Sequence, residues 1–149
     1  MRAVVQRVAR AEVRAEGSVT GSIGPGLLVY AGVEKGDTAS DCETIAAKVA
    51  NLRVFEDADG RMNLDVKEAG GEVLVVSQFT LLADARKGRR PSFERAEEPE
   101  KANALYEWLV RAIMEKGVRA QTGRFQTHME VDSVNNGPVT ILLDSRKTF

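Results

Sequence analysis

The segment Leu27-Leu28-Val29-Tyr30-Ala31-Gly32-Val33 decides the fold, because nearly every one of its side chains is apolar. A strand with one solvated face would alternate apolar and polar residues, and this segment does not alternate. A second apolar run, Glu72-Val73-Leu74-Val75-Val76, follows Gly70-Gly71 and ends at Ser77. Both segments predict core strands, and the first predicts a strand that is buried on both faces.

Other strands are predicted on both sides of this pair. Residues 4–8 are rich in valine, and residues 12–23 alternate around Gly17-Ser18, which predicts a β-hairpin. Further strands are predicted at 52–55, 118–122, 127–134 and 139–143, with a turn at 57–60 after the first of them. Asn135-Asn136-Gly137-Pro138 separates the last two strands and predicts a hairpin turn. The residues alone also predict a trans Gly137–Pro138 bond, since few X-Pro bonds in folded proteins are cis.

Two helices interrupt the strands. Residues 39–51 place Cys42, Ile45 and Val49 at helical spacing, and Thr38 with Asp41 predicts a capping box at the start. A second helix is predicted from Glu98-Pro99-Glu100 to Gly117. This order of elements predicts a single α+β (mixed α/β) domain, residues 1–149, in which two helices cover a largely antiparallel sheet or open barrel.

Composition disfavours several classes of function and kinds of site. The chain has 149 residues and a net charge of −1, which disfavours a protein that coats nucleic acid without sequence preference. Cys42 is the single cysteine, so no intrachain disulfide or multi-cysteine metal site is expected, and neither a metal nor a cofactor is predicted. No apolar run has the length of a membrane span and no signal peptide is evident, so a cytoplasmic location without membrane contact is expected.

The residues favour chemistry that does not depend on an imidazole. His128 is the only histidine, and it lies in a strand-like run without an evident orienting partner. The segment Ser77-Gln78-Phe79-Thr80 leaves a core strand, and a bend there would free the amides of Gln78 and Phe79 to stabilise an oxyanion. Thr80 supplies a hydroxyl that could attack or position a water. The residues leave open a simpler interpretation, in which Ser77 and Thr80 only cap the strand end.

A basic cluster, Arg86-Lys87-Gly88-Arg89-Arg90, follows this segment. It is suited to contact a few phosphates. A solvated loop explains the same composition equally well, and both interpretations stay open.

Several segments in order resemble the D-aminoacyl-tRNA deacylase family. They are Met1-Arg2-Ala3-Val4-Val5-Gln6-Arg7-Val8, Gly21-Ser22-Ile23, Gly26-Leu27-Leu28-Val29, Asn51-Leu52-Arg53-Val54-Phe55, Ser77-Gln78-Phe79-Thr80-Leu81, Lys87-Gly88-Arg89-Arg90-Pro91-Ser92-Phe93 and Gly137-Pro138-Val139-Thr140. The resemblance implies a homodimer that hydrolyses the ester of D-aminoacyl-tRNA, and of glycyl-tRNA mischarged on tRNA-Ala, as a proofreading step in translation. The implied partner is aminoacylated tRNA, bound by its 3′-terminal adenosine and acceptor end.

The resemblance also implies roles for individual residues. It places oxyanion-binding amides at Gln78 and Phe79, with Ser77 shaping the site and Thr80 at the reacting centre as nucleophile or positioning group. A route assisted by the 2′-hydroxyl of the terminal adenosine competes with a covalent threonine. The resemblance implies a cis Gly137–Pro138 bond whose carbonyls enter the partner subunit's pocket and exclude L side chains. It implies that Phe125 and Met129 line the adenosine and aminoacyl pocket.

Some positions depart from the family pattern. Gln126 and Thr127 stand where Gly-Ala is usual, and His128 stands where Asp is frequent. The family also commonly has Leu at Ser133 and Asp at Asn136. The departures at 126 and 127 put the details of adenosine binding in question more than the reaction. Two other functions remain as alternatives: a non-catalytic nucleic-acid binding module on the same fold, and an esterase for small D-amino-acid esters.

Overall fold

A mixed six-stranded sheet forms the body of the computed structural model, which describes residues 1–149. The elements are β1 (Arg2–Ala15), β2 (Ser18–Ile23), β3 (Gly26–Gly32), α1 (Ala39–Asn51), β4 (Phe55–Glu56), β5 (Met62–Leu64), β6 (Glu72–Ser77), a 3-10 turn (Phe79–Leu82), α2 (Pro99–Glu115), β7 (Ala120–Thr122) and β8 (Met129–Asp144). The predicted single α+β domain is confirmed. None of its helices has the length and apolar character that a membrane crossing requires.

Strand β1 organises the sheet. It pairs antiparallel with β3 through its first half and with β2 through its second half, while β8 follows its other edge. Parallel pairing then adds β6 to β3 and β7 to β6. The side chain of Gln121 on β7 accepts a hydrogen bond from the Ser22 amide of β2 at 2.9 Å. This contact joins the two ends of the strand order, and the sheet is therefore a nearly closed barrel.

The apolar side chains of β3 and β6 are buried on both faces of the sheet. Leu27, Val29, Val73 and Val75 belong to a large core that the sheet shares with the helices. Leu28, with Leu74 and Val76 of β6, belongs to a smaller core on the opposite face, inside the barrel. Successive side chains of a strand point to opposite faces, so a strand between two cores has no polar positions. The prediction that β3 is buried on both faces is confirmed.

Both helices follow the predicted patterns. The apolar stripe of α1 is buried, and the predicted capping box is present, with the Thr38 amide donating to the Asp41 carboxylate at 2.8 Å. Helix α2 has Pro99 in its first turn, and Gly117 follows its end with a φ of 81°. Such a positive φ is costly for residues with a Cβ, so glycine suits this position.

The prediction of a hairpin turn at residues 135–138 is wrong. Strand β8 continues through this segment and pairs with β1 before and after it, with shifts of register near Val8. A bulge accommodates a proline, which has no N–H for the ladder, without ending the strand. The Gly137–Pro138 bond is cis, whereas the residues alone predicted trans.

Two shorter strands were predicted with incorrect ends. The strand expected at 52–55 is limited to Phe55–Glu56, where it pairs with β5. The strand expected at 118–122 begins at Ala120. In both places the apolar residues beforehand, Val54 and Val118, are buried in the core without pairing in a ladder, so their apolar character was mistaken for strand structure.

Candidate active site

A cavity of about 560 Å³ opens at the carboxyl end of β6. Its wall combines the ends of β3 and β6, the start of α2 and the segment that leads into β8. It is lined by Ala31, Val33, Ser77, Gln78, Phe79, Ala96, Glu97, Pro99, Ala102, Tyr106, Phe125, Gln126, Thr127, His128, Met129 and Val131. The structure therefore brings five predicted site residues together: Ser77, Gln78, Phe79, Phe125 and Met129. Thr80, Gly137 and Pro138 are not part of this wall.

The bend after β6 exposes backbone amides, but not the expected pair. The Gln78 amide donates to the Ala31 carbonyl at 2.8 Å, so the prediction that it would be free of ladder pairing is wrong. The parallel ladder between β3 and β6 extends one residue beyond Ser77 and uses this amide. The 3-10 turn begins at Phe79. The first N–H groups of such a turn, here those of Phe79 and Thr80, have no carbonyl partner within it.

Thr80 lies beside the cavity with an exposed side chain. Its hydroxyl accepts a hydrogen bond from the side-chain amide of Gln78. No histidine, lysine or carboxylate is hydrogen-bonded to this hydroxyl. A threonine nucleophile needs a base to take its proton. Within this chain, no such base is hydrogen-bonded to the Thr80 hydroxyl.

The opposite wall of the cavity is aromatic. Tyr106 and Phe125 have ring centroids 5.9 Å apart, and the Tyr106 hydroxyl donates to the Val75 carbonyl at 2.8 Å. Burial raises the pKa of Tyr106. This tyrosine is consequently a fixed, neutral wall residue. Its place in the cavity was not predicted, since Tyr106 lies among the core residues of α2.

The segment from Gln126 to His128 forms the rim. Gln126 has a φ of 58°, a left-handed conformation in which glycine is favoured over residues with a Cβ. His128 is exposed and lines the cavity, but no carboxylate lies within ion-pair distance of its ring. It therefore lacks the orienting partner of a catalytic triad. No group of three or more His, Cys, Asp or Glu side chains is placed to hold a metal ion.

Gly137 and Pro138 are exposed at the bulge of β8, away from the cavity of their own chain. A buried arginine supports this segment. Arg7 donates from Nε to the Asn136 carbonyl at 2.9 Å and from Nη1 to the Val54 carbonyl at 2.6 Å. Two charge-assisted hydrogen bonds to backbone carbonyls fix the residue before Gly137 relative to β1.

The basic cluster occupies a loop beside the cavity. Asp84 and Ser92 close this loop with two backbone hydrogen bonds of 2.8 and 2.9 Å. Arg86 forms an ion pair with Asp84 and, by its hydrogen bonds, lowers the pKa of that carboxyl. No ion pair neutralises the other three cations of the loop, Lys87, Arg89 and Arg90, and all three are exposed.

Aromatic packing joins this loop to the bend. Phe93 meets Phe79 edge to face, with ring centroids 5.1 Å apart. The next residues return to the cavity wall at Ala96 and Glu97. Both ends of the basic loop are therefore held at the mouth of the cavity.

Comparison with known proteins identifies relatives of the whole chain. The family model for D-Tyr-tRNA(Tyr) deacylase matches residues 4–144. A D-aminoacyl-tRNA deacylase from Anaeromyxobacter dehalogenans is 62% identical, and one from Thermotoga petrophila is 59% identical. Each alignment covers 100% of this chain and 100% of the relative.

Solved structures match over nearly the same length. The c-Myc DNA unwinding element binding protein superposes with a TM-score of 0.90 at 39% identity, covering 97% of this chain and 98% of the other. A probable eukaryotic D-amino acid tRNA deacylase superposes with a TM-score of 0.83, covering 95% of this chain and 97% of the other. At 15% identity, this second likeness concerns the fold alone.

Proposed function

This chain belongs to the D-Tyr-tRNA(Tyr) deacylase family of hydrolases, and we propose that its cavity cleaves the ester bond between a D-amino acid and the 3′-terminal adenosine of tRNA. The observation that carries the proposal is the bend after Ser77, where the Phe79 and Thr80 amides have no carbonyl partner within the 3-10 turn. The adjoining cavity has no cysteine in its wall, and its one histidine, His128, has no orienting carboxylate. Ester hydrolysis there requires a stabilised oxyanion rather than an activated side-chain nucleophile. We take the deacylase domain to span residues 1–149.

The amides of Phe79 and Thr80 are the proposed oxyanion donors. Water attacks the ester carbonyl, the carbonyl oxygen becomes negative, and the two N–H groups stabilise it. One such donor typically contributes about 3–4 kcal/mol to lowering the barrier. Ser77 shapes the start of the bend, and Gln78 positions Thr80 through its side chain. The proton transfers are left to water and the 2′-hydroxyl of the adenosine, since no side-chain base is hydrogen-bonded to Thr80.

The terminal adenosine is proposed to lie against Phe125 and Met129. Aromatic and thioether side chains offer a base an apolar face, and stacking on an aromatic ring stabilises a bound base by about 1–3 kcal/mol. Gln126 and Thr127 border the same region, so they set the shape of the adenosine pocket in this chain. The acceptor end and a few phosphates complete tRNA binding. Because aminoacylated tRNA is used in translation, the enzyme is proposed to work in the cytoplasm.

Selection of the D-amino acid is assigned to Gly137 and Pro138 of a second copy of the chain. The motif is exposed and does not line the cavity of its own chain, so it can act only on a neighbouring one. Strand β8 also leaves its outer edge unpaired along residues 129–144, with Val134 and Leu142 exposed. Long free edges are usually covered. These features support a homodimer. Glycine has no side chain to exclude, so glycyl-tRNA mischarged on tRNA-Ala is a proposed substrate as well.

The reaction is tested by incubating the protein with D-tyrosyl-tRNA and L-tyrosyl-tRNA side by side. Rapid release of D-tyrosine with little release of L-tyrosine is expected. Equal rates would remove the chiral part of the proposal, and no hydrolysis of either substrate would overturn it.

The cross-subunit arrangement is tested with mixed dimers. Pro138→Ala alone is expected to hydrolyse L-tyrosyl-tRNA, because the gate facing each pocket is altered. Thr127→Trp, which fills the cavity, is expected to be inactive. Co-refolding the first variant with excess of the second should restore rejection of the L substrate, since intact Pro138 then faces the open pockets. Unchanged hydrolysis of the L substrate would show that the motif acts within its own chain.

A second function is favoured by one comparison. The structural relative at 39% identity is named for binding a DNA unwinding element, and the three unpaired cations at 87, 89 and 90 suit a nucleic-acid backbone. A non-catalytic binding module on this fold would bind DNA in a salt-dependent manner and cleave no ester. Measuring DNA binding and deacylation on the same preparation separates the two functions. An esterase for small D-amino-acid esters would instead prefer a free aminoacyl-adenosine to full tRNA.

A further inference from the structure

A second cavity, of about 410 Å³, adjoins the first beside Phe125. The two cavities share Tyr106 and Phe125 as lining residues, so this aromatic pair separates them. The second cavity is lined further by polar groups that the proposed reaction does not use, among them Asn103, Arg111 and Arg124.

The two arginines are available for a new partner. Arg111 lies over the ring of Trp108, with its guanidinium carbon 5.9 Å from the ring centroid, and it has no carboxylate partner within ion-pair distance. Arg124 forms an ion pair with Glu16 at 3.2 Å, but both side chains are more than half exposed. Exposed ion pairs of this kind contribute little to stability, so a phosphate can replace Glu16 as the partner of Arg124.

The chemistry of this cavity suits a nucleotide. Guanidinium groups bind phosphate through several parallel hydrogen bonds, while Asn103, Thr122 and Glu107 offer donors and acceptors for the edge of a base. The Glu107 carboxylate already accepts a hydrogen bond from Asn103 at 3.3 Å. One carboxylate against two arginines leaves the cavity with a net positive lining.

We propose that this second cavity binds the nucleotide that precedes the terminal adenosine of tRNA, with its phosphodiester held by Arg111 and Arg124. The inference rests on the proposed function, because it takes the adenosine to lie against Phe125. A strand whose last base lies on one side of Phe125 enters the adjoining cavity with its preceding residue. The cavity thereby distinguishes an RNA end from a free aminoacyl-adenosine.

The test compares two substrates that differ by one nucleotide. They are the D-tyrosyl ester of adenosine and the D-tyrosyl ester of the dinucleotide cytidylyl-(3′→5′)-adenosine. For the unaltered protein, we expect kcat/KM to be about tenfold or more higher with the dinucleotide, as charge-assisted hydrogen bonds imply. The double variant R111Q/R124Q should lose this gain and cleave the adenosine ester at the original rate.

A control variant and a binding measurement complete the design. R61Q/K67Q removes the same charge from two exposed residues that line neither cavity, and it should keep the gain. Binding of the dinucleotide without its amino acid, and of adenosine, is measured in parallel by calorimetry. Binding of the dinucleotide that depends on the arginines but occurs without hydrolysis would refute the proposed function alone. Equal kcat/KM for both substrates, or a gain that survives R111Q/R124Q, would overturn the inference.

Discussion

Thr80 follows Phe79 of the cavity wall, and no base that could accept its proton is hydrogen-bonded to its hydroxyl. Its hydroxyl accepts a hydrogen bond from the side-chain amide of Gln78. If the hydroxyl only helps to hold the bend, its removal should raise the reaction barrier by no more than the free energy of one such hydrogen bond. We therefore expect Thr80→Ala to lower kcat on D-tyrosyl-tRNA by less than about tenfold, consistent with about 1 kcal/mol for a hydrogen bond.

Two outcomes distinguish the roles of Thr80. Thr80→Ser retains the hydroxyl and serves as the matched control, with activity near that of the unaltered protein. A loss of about a thousandfold or more in Thr80→Ala, together with rescue by serine, would indicate a nucleophile and contradict the positioning role. Single-turnover rate constants, measured with enzyme in excess, make this comparison independent of tRNA release.

Cys42 lies in the core of the molecule, far from solvent. Its side chain is 0% exposed, and its thiol donates to the Leu105 carbonyl at 3.3 Å. Burial, with further contributions from Asp37 and Asp41, raises the pKa of the Cys42 thiol to about 11 from an ordinary value of 9.0. The folded state thus keeps this proton at pH values where the unfolded chain releases it.

This shift predicts an alkaline loss of stability. Because the folded pKa is raised, the stabilisation is complete below pH 9 and is lost as pH rises from about 9 to about 11. Urea unfolding between pH 8 and pH 10.5 should show a falling free energy of unfolding. Cys42→Ala should be less stable at pH 8, but its free energy of unfolding should fall less steeply as the pH rises. Parallel curves for the two proteins would show that the thiol does not contribute.

At the scale of elements, β3 and β6 leave no room for a side chain at Gly26. A Cβ at this position would lie 1.9 Å from the Glu72 carbonyl oxygen, which belongs to the backbone of β6 and cannot rotate away. The parallel pairing of these strands therefore requires glycine there. We expect Gly26→Ala to lower the free energy of unfolding by about 3 kcal/mol or more, measured by urea denaturation.

Gly24, two residues earlier, provides the control for this substitution. A Cβ at Gly24 would have no atom within 4 Å, so Gly24→Ala should change the free energy of unfolding by no more than about 0.5 kcal/mol. Similar effects of the two substitutions would mean that the change at Gly26 acts through the unfolded chain and not through the contact with β6.

Local pattern was sufficient for two elements. Helix α1 was predicted from the helical spacing of its apolar residues, and strand β3 from an unbroken apolar run that is buried on both faces. Strand β8 was predicted as two strands, since Gly137-Pro138 normally ends an element. Its continuity depends on pairing with β1, a partner more than a hundred residues away in sequence. No local pattern contains that information.

The candidate site shows the same division. The sequence predicted the exposed bend after Ser77, and the resemblance implied Phe125 and Met129. The sequence did not predict which amide remains free, because the backbone amide of Gln78 donates to the Ala31 carbonyl of a neighbouring strand. Nor did it predict Tyr106, whose role as a wall arises only when α2 packs over β6. Long-range packing decides both features.

At the scale of the whole molecule, charge is distributed unevenly. The net charge of −1 gives no general attraction to nucleic acid. The loop closed by Asp84 and Ser92 nevertheless has three exposed cations without acidic partners. It is held at the cavity mouth by the contact between Phe79 and Phe93. A long-range interaction with the tRNA backbone is therefore expected to come mainly from this loop.

The triple variant K87Q/R89Q/R90Q tests this expectation through salt dependence. Each phosphate neutralised by a cation contributes about 0.7 to 0.9 to the slope of log K against log salt concentration. The variant should therefore lower the magnitude of that slope for tRNA binding by about 2 to 3, and leave hydrolysis of D-tyrosyl-adenosine unchanged. A control triple, K48Q/R61Q/K67Q, removes equal charge from exposed residues outside both cavities. If both triples reduced the slope equally, the attraction would belong to overall charge, and the loop would have no special part in binding.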